Sequence, residues 1–185
     1  QFVAITDPNS KMQKVAEADG FRKIFFGDAE IGGRFSALLP FGMAAGAAMN
    51  LNVGDFLNRA AEMVSACKNE DPNANPGFAL GTILGVCQTR GVDKLTIFAA
   101  PEIYDLGAWL EQLLAESTGK NGKAIIPVDR EPTQNDYSRD RVFAFLKLKG
   151  DTSFDETVPS LEANGHPVIQ IELDSIDNLA QEFFR

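Results

Sequence analysis

Short apolar runs alternate with longer amphipathic stretches along almost the whole chain, and this alternation restricts the fold more than any other feature. Residues 2–5, 21–26, 95–99, 124–128, 142–148 and 168–171 read as strands. An apolar run of about four to eight residues between turn signals fits a strand covered on both faces. Helices are expected over 11–19, 38–49, 53–68, 78–89, 106–117 and 175–184, with a short one ending at 161–164. Ser10 supplies an N-cap and Gly20 a C′ residue for the first of these, whose apolar face is Met12, Val15 and Ala16. Phe56, Leu57, Ala60, Met63 and Val64 recur at helical spacing, as do Leu106, Leu110, Leu113 and Leu114. A β-α-β-α order implies an α/β fold: a three-layer αβα sandwich with a mostly parallel sheet.

Residues 69–76 carry two prolines and no large apolar side chain, which marks a linker. The chain therefore divides into residues 1–68 and 69–185. Its 185 residues are 44% hydrophobic, enough for an ordinary core. A net charge of −9 disfavours nucleic acid and anionic membrane as partners, though a few local donors can still hold a small phosphorylated ligand. Cys67 and Cys87 fall within helical patterns and lack metal-ligand spacing, so they read as reduced, buried thiols of a cytoplasmic protein. There is no apolar run of membrane-spanning length, no signal peptide and no internal repeat. The chain opens directly on a strand, and a fragment of a longer protein is expected.

Two short motifs carry the chemistry. In Ile31-Gly32-Gly33-Arg34-Phe35-Ser36, paired glycines bring the backbone close to a ligand, and a forked cation follows. A helix opening at Ser36 would aim its free N–H groups at the same spot, a construction for stabilising an anion. The same tripeptide also occurs in plain surface turns. In Gln112-Leu113-Leu114-Ala115-Glu116-Ser117-Thr118-Gly119-Lys120, Glu116 falls in the last turn of a helix, with Gly119 as its C′ cap and Gln112 one turn earlier on the same face. The negative end of the helix dipole disfavours the charged carboxylate there, tuning that suits a general base for carbon acids. The plainer reading is a solvated glutamate at a fraying end. Neither G-x-G-x-x-G after a strand nor G-x-x-x-x-G-K-[ST] is present. The single histidine, His166, precludes a multi-histidine metal site and reads as a solvated loop residue.

Together the motifs resemble a known family. Gly32-Gly33-Arg34-Phe35-Ser36 is similar to the G-G-R-[FY]-S signature of glucose-6-phosphate isomerases, and Glu116-Ser117-Thr118-Gly119-Lys120 to that family's E-S-x-G-K segment. The run from Gly33 to Gly42 most resembles the isomerase half of fused transaldolase/glucose-6-phosphate isomerase proteins. The resemblance implies a sugar-isomerase (SIS) fold: a parallel five-stranded sheet with helices on both faces, used twice. Residues 1–68 would be the C-terminal part of the first unit and 69–185 the second. It implies interconversion of glucose 6-phosphate and fructose 6-phosphate, as in glycolysis and gluconeogenesis, without metal or cofactor. The full-length protein could be a homodimer. By resemblance, Glu116 moves the proton, Arg34 stabilises the enediol(ate), Gly32 and Gly33 bring backbone N–H groups close, and Gln112 helps hold the substrate. The family's phosphate loop, ring-opening histidine and C-terminal lysine have no match here, so the chain alone is expected to have little isomerase activity. Two other readings stay open: a non-catalytic SIS-type module that binds sugar phosphates and regulates, and an unrelated α/β domain acting through strand-end loops.

Overall fold

The structure is a computed structural model describing residues 1–134 and 136–185. Strand β1 (Val3–Thr6) pairs in parallel with β2 (Lys23–Phe26), and helix α1 (Lys11–Ala18) makes the crossover. Ser10 caps α1 by accepting the Gln13 N–H at 3.1 Å, and Gly20 follows with φ +64°. Only Ala16 of the expected α1 face is buried; Met12 and Val15 stay exposed. Two strands about 4.8 Å apart offer a narrower floor than the ~10 Å width of a helix.

Helices α2 (Pro40–Ala48) and α3 (Val53–Cys67) come next. The expected linker then folds into a tight turn around Asn75. Its side chain accepts the Phe78 N–H at 2.9 Å and donates to the carbonyls of Cys67 (2.7 Å) and Asn69 (3.0 Å). That bonding caps helix α4 (Pro76–Thr89), which opens on a proline at its first position.

The second sheet contains β3 (Lys94–Ala99), β4 (Ile126–Asp129), β5 (Arg141–Leu148) and β6 (Val168–Leu173) in the order β4-β3-β5-β6, every pair parallel. Helix α5 (Asp105–Thr118) connects β3 to β4, and α6 (Thr157–Ala163) connects β5 to β6. Alternation along the strands sorts the core into two faces. Leu95, Ile97, Val142, Ala144, Leu146 and Ile169 share one cluster with side chains of α4 and α5. Phe143 and Phe145 point to the other, against Val158 and Leu161 of α6. The result is the three-layer, parallel α/β arrangement of an SIS-like fold. Among the described residues it holds one sheet of four strands and a separate pair, where the resemblance implied a five-stranded sheet used twice.

Cys87 is buried as expected but Cys67 only partly so, and two further expectations about this part of the chain need correction. The final helix is broken into a 3-10 turn, Ile176–Asn178, and a short helix α7 (Leu179–Glu182). The Ser175 hydroxyl bonds the Asn178 side chain at 2.9 Å, and such local side-chain bonding competes with helix initiation. His166 is not solvated. It is 8% exposed, with its ring edge-on to Phe143 at 5.2 Å, because it sits where the chain enters β6 beneath the aromatic cluster.

At the start of β3, the Lys94 ammonium bridges Asp93 (2.9 Å) and Asp140 (2.7 Å). The hydrogen bond from Lys94, joined by one from the Ser138 hydroxyl, holds the Asp140 carboxyl down at about 2, against an ordinary 3.8. A folded value below the unfolded one means that Asp140 stabilises the fold above its ordinary value. The contribution is lost as pH falls through about 2. In an NMR titration the Asp140 carboxyl is expected to titrate near 2, and Lys94→Ala to move that midpoint upward.

Candidate active site

The Gly-Gly-Arg segment forms a single 3-10 turn, Gly33–Phe35, closed by Phe35 N–H to the Gly32 carbonyl (2.9 Å) and Ser36 N–H to the Gly33 carbonyl (3.1 Å). The Ser36 hydroxyl donates back to the Gly33 carbonyl at 2.6 Å, so Ser36 ends this turn instead of capping a helix. The helix expected at Ser36 is α2, which begins at Pro40. Proline lacks an N–H and is suited to the first helical position, which moves the start downstream. A Cβ at Gly32 or Gly33 would meet nothing within 4 Å, so the space over both glycines is open to a ligand.

Glu116 and Ser117 lie in the last turn of α5. Thr118 closes that turn by donating to the Leu114 carbonyl (2.8 Å) and accepting the Ile125 N–H (3.0 Å). Gly119 is not a left-handed C′ residue: its φ is −71°. Glycine fits there because a Cβ would lie 2.6 Å from the Ala115 carbonyl oxygen. The left-handed positions follow at Asn121 and Gly122.

The turn and the helix end meet. Arg34 Nη1 lies 3.0 Å from Glu116 Oε2, across 82 positions of sequence. Arg34 Nε donates to Ser117 Oγ at 3.1 Å, and Gln112 Nε2 donates to Glu116 Oε1 at 3.1 Å. The Trp109 indole N–H donates to the Arg34 backbone carbonyl at 3.2 Å. Lys120 Nζ donates to the Glu116 carbonyl at 2.6 Å, supplying a cation to the negative end of the helix. The Arg34 side chain is 26% exposed and that of Glu116 50%. They open on a cleft of about 470 Å³ whose walls include Gly33, Ser36, Phe41, Gly42 and Gln112. Gly32 lies one residue outside this lining. Phe41 and Gly42 in the first turn of α2 border the cleft.

Four of the five candidate residues thus share one cleft. Ser117 and Trp109 are polar contacts the sequence reading passed over. Trp109, Gln112 and Glu116 are spaced i, i+3, i+7, the signature of one helix face, and that spacing could have found the tryptophan. Gly42 matters for shape: a Cβ there would overlap the Ala37 carbonyl oxygen. Gly42→Ala is expected to cost about 1–3 kcal/mol through overpacking, read as a lower urea midpoint.

Among the described residues, no group of three or more His, Cys, Asp or Glu side chains is placed to hold a metal ion. No helix of the described residues is long and apolar enough to cross a membrane. The Arg34–Glu116 contact joins the loop that leaves the carboxyl end of β2 to the end of α5.

No family model matches the chain. The glucose-6-phosphate isomerase of Parabacteroides distasonis is 29% identical over 97% of this chain and 41% of its own length. That of Methanocaldococcus jannaschii is 26% identical over 97% of this chain and 53% of its own. Among solved structures, a hypothetical protein of Thermus thermophilus superposes with a TM-score of 0.81 at 18% identity, covering 98% of this chain and 55% of that one; at such identity it speaks for the fold. The chain spans about half or less of the length of these curated relatives. It is homologous, at low identity and over part of their length, to the glucose-6-phosphate isomerases, and it has the SIS-like fold.

Proposed function

We propose that this chain is part of a glucose-6-phosphate isomerase and carries the proton-transfer half of its active site. The observation that carries the reading is the convergence of Arg34 and Glu116 in one cleft. An exposed ion pair contributes at most about 1 kcal/mol to stability, so folding energy gives little reason to bring this base and this fork together. Proton abstraction next to a carbonyl needs one base and one oxyanion stabiliser. In the reaction, Glu116 takes the proton from the carbon next to the carbonyl and returns it to the neighbouring carbon. Arg34 meets the negative charge on the enediol(ate) between the two steps. Gln112 orients the carboxylate and helps hold the sugar phosphate, and Gly32 and Gly33 let backbone N–H groups approach it. Both Glu116 oxygens are engaged, one by Arg34 and the other by Gln112, so substrate enters by displacing these contacts.

Under this reading, residues 1–68 complete a first SIS-like unit and residues 69–185 make the second, in keeping with the two separate sheets. A fused transaldolase rests on the run from Gly33 to Gly42, and a homodimer on the family resemblance. The non-catalytic alternative draws on one observation: the stretch expected to hold the ring-opening histidine is β5, and His166 is buried on the α6 side of the sheet. The deciding experiment assays the intact protein with fructose 6-phosphate in D₂O. An enediol(ate) route gives glucose 6-phosphate carrying solvent deuterium in those turnovers in which the Glu116 carboxyl exchanges its proton before returning it. Sugar-phosphate binding without turnover or label would favour the regulatory module.

A further inference from the structure

We propose that Trp109 is a positioning residue that fixes Arg34 in register with Glu116. The kinetic consequence rests on the isomerase reading above; the geometric one does not. The 3-10 turn carrying Arg34 is only three residues long and is joined to open glycine backbone on its amino side. A turn so short cannot by itself hold a guanidinium to within the fraction of an ångström that charge stabilisation needs. Two contacts from α5 supply what it lacks. Ser117 Oγ accepts from Arg34 Nε and sets the plane of the fork. The Trp109 N–H binds the Arg34 backbone carbonyl and so sets the origin of the whole side chain. Trp109 and Glu116 share one helix, so the indole and the carboxylate form a rigid ruler along which the turn is hung.

The placement of the ring supports this role. Trp109 lies between the cleft and an apolar cavity of about 340 Å³, lining both. The ring is half-buried and packs against the core of the second sheet, edge-on to Phe183 at 4.8 Å. A ring anchored in the core offers its N–H from a fixed place, and that N–H binds the Arg34 carbonyl.

The test is Trp109→Phe in the intact protein, which keeps a ring against Phe183 and removes the donor. Turnover is expected to fall about 10–10²-fold, the scale of a small misplacement at a reacting centre, with KM little changed. In an Arg34→Ala background the same substitution is expected to cost nothing further, because no guanidinium remains to be positioned. Independent, multiplicative losses would overturn the inference, as would unchanged turnover in the single variant. Two measurements decide it without reference to isomerase activity, the first of them on the unaltered protein alone. The Trp109 indole N–H, the only one in these 185 residues, is expected to exchange slowly with solvent in the unaltered protein. The Arg34 Nε–H is expected to show restricted motion by ¹⁵N relaxation, and to lose it in Trp109→Phe. A freely exchanging indole, or an Arg34 equally ordered in the variant, would sink the proposal whatever the protein catalyses. Failure of the isomerase reading appears separately, as absence of fructose 6-phosphate turnover by the unaltered protein.

Discussion

Glu116→Gln in the intact protein is expected to lower turnover of fructose 6-phosphate by about 10²–10⁴-fold, the usual worth of a positioned general base. Gln has nearly the shape of Glu and can still accept a hydrogen bond through its amide oxygen. It cannot take up a proton. The stability cost is expected to be small, because the carboxylate is 50% exposed and an exposed ion pair contributes about 1 kcal/mol or less. That asymmetry makes the variant informative: activity should collapse while the urea midpoint barely moves. Substrate affinity is also expected to hold, since under the isomerase reading the phosphate loop lies outside this chain. The check is steady-state kinetics beside an unfolding curve. Near wild-type turnover would make Glu116 a helix-end residue paired with Arg34 for structural reasons, and the base would have to be sought elsewhere.

The parallel layers were legible in the sequence because their cause is local. β5 reads as a strand from an unbroken apolar run, and burial on both faces is what such a run demands. The α5 stripe and the caps at Ser10 and Asn75 are likewise short-range chemistry. What misled was chemistry with two local solutions. Ser36 is a good helix N-cap in isolation, yet its hydroxyl turns back to the Gly33 carbonyl while Pro40 opens the helix. Gly119 looks like a left-handed cap, yet its role is clearance from the Ala115 carbonyl. Ser175 spends its hydroxyl on Asn178, and the last helix breaks. Burial of His166 depends on long-range packing against Phe143, which no neighbouring residue announces.

The candidate site divides along the same line. Gln112 and Glu116 are one helical turn apart, and their contact follows from helix geometry alone. The meeting of Arg34 with Glu116 does not follow from any local rule. It was anticipated only through the family resemblance, which places both motifs in one cleft. Trp109 and Ser117 belong to none of the roles that resemblance assigns; helix spacing hinted at the first, and only the measured distances revealed the second.

Arg34→Ala is expected to reduce turnover by about 10²–10³-fold, the range seen when one donor to a developing oxyanion is removed. Arg34→Lys is expected to recover only part of that loss. In the resting site the guanidinium divides its donors, Nη1 toward Glu116 and Nε toward Ser117, and only a planar fork can do both from one fixed position. An ammonium supplies the charge without the plane, so it can satisfy Glu116 or Ser117 but does not hold the geometry between them. The two catalytic assignments also separate by pH. A carboxylate base imposes a loss of activity on the acid side of the rate profile. That loss should persist in Arg34→Ala, where the base is intact and the intermediate is merely higher in energy. It should vanish from the residual activity of Glu116→Gln. A pH–rate profile for each variant therefore reads the roles independently of their size. If Arg34→Lys matched the native protein, charge alone would suffice, and the hydrogen bond from Arg34 to Ser117 would have no part in the chemistry.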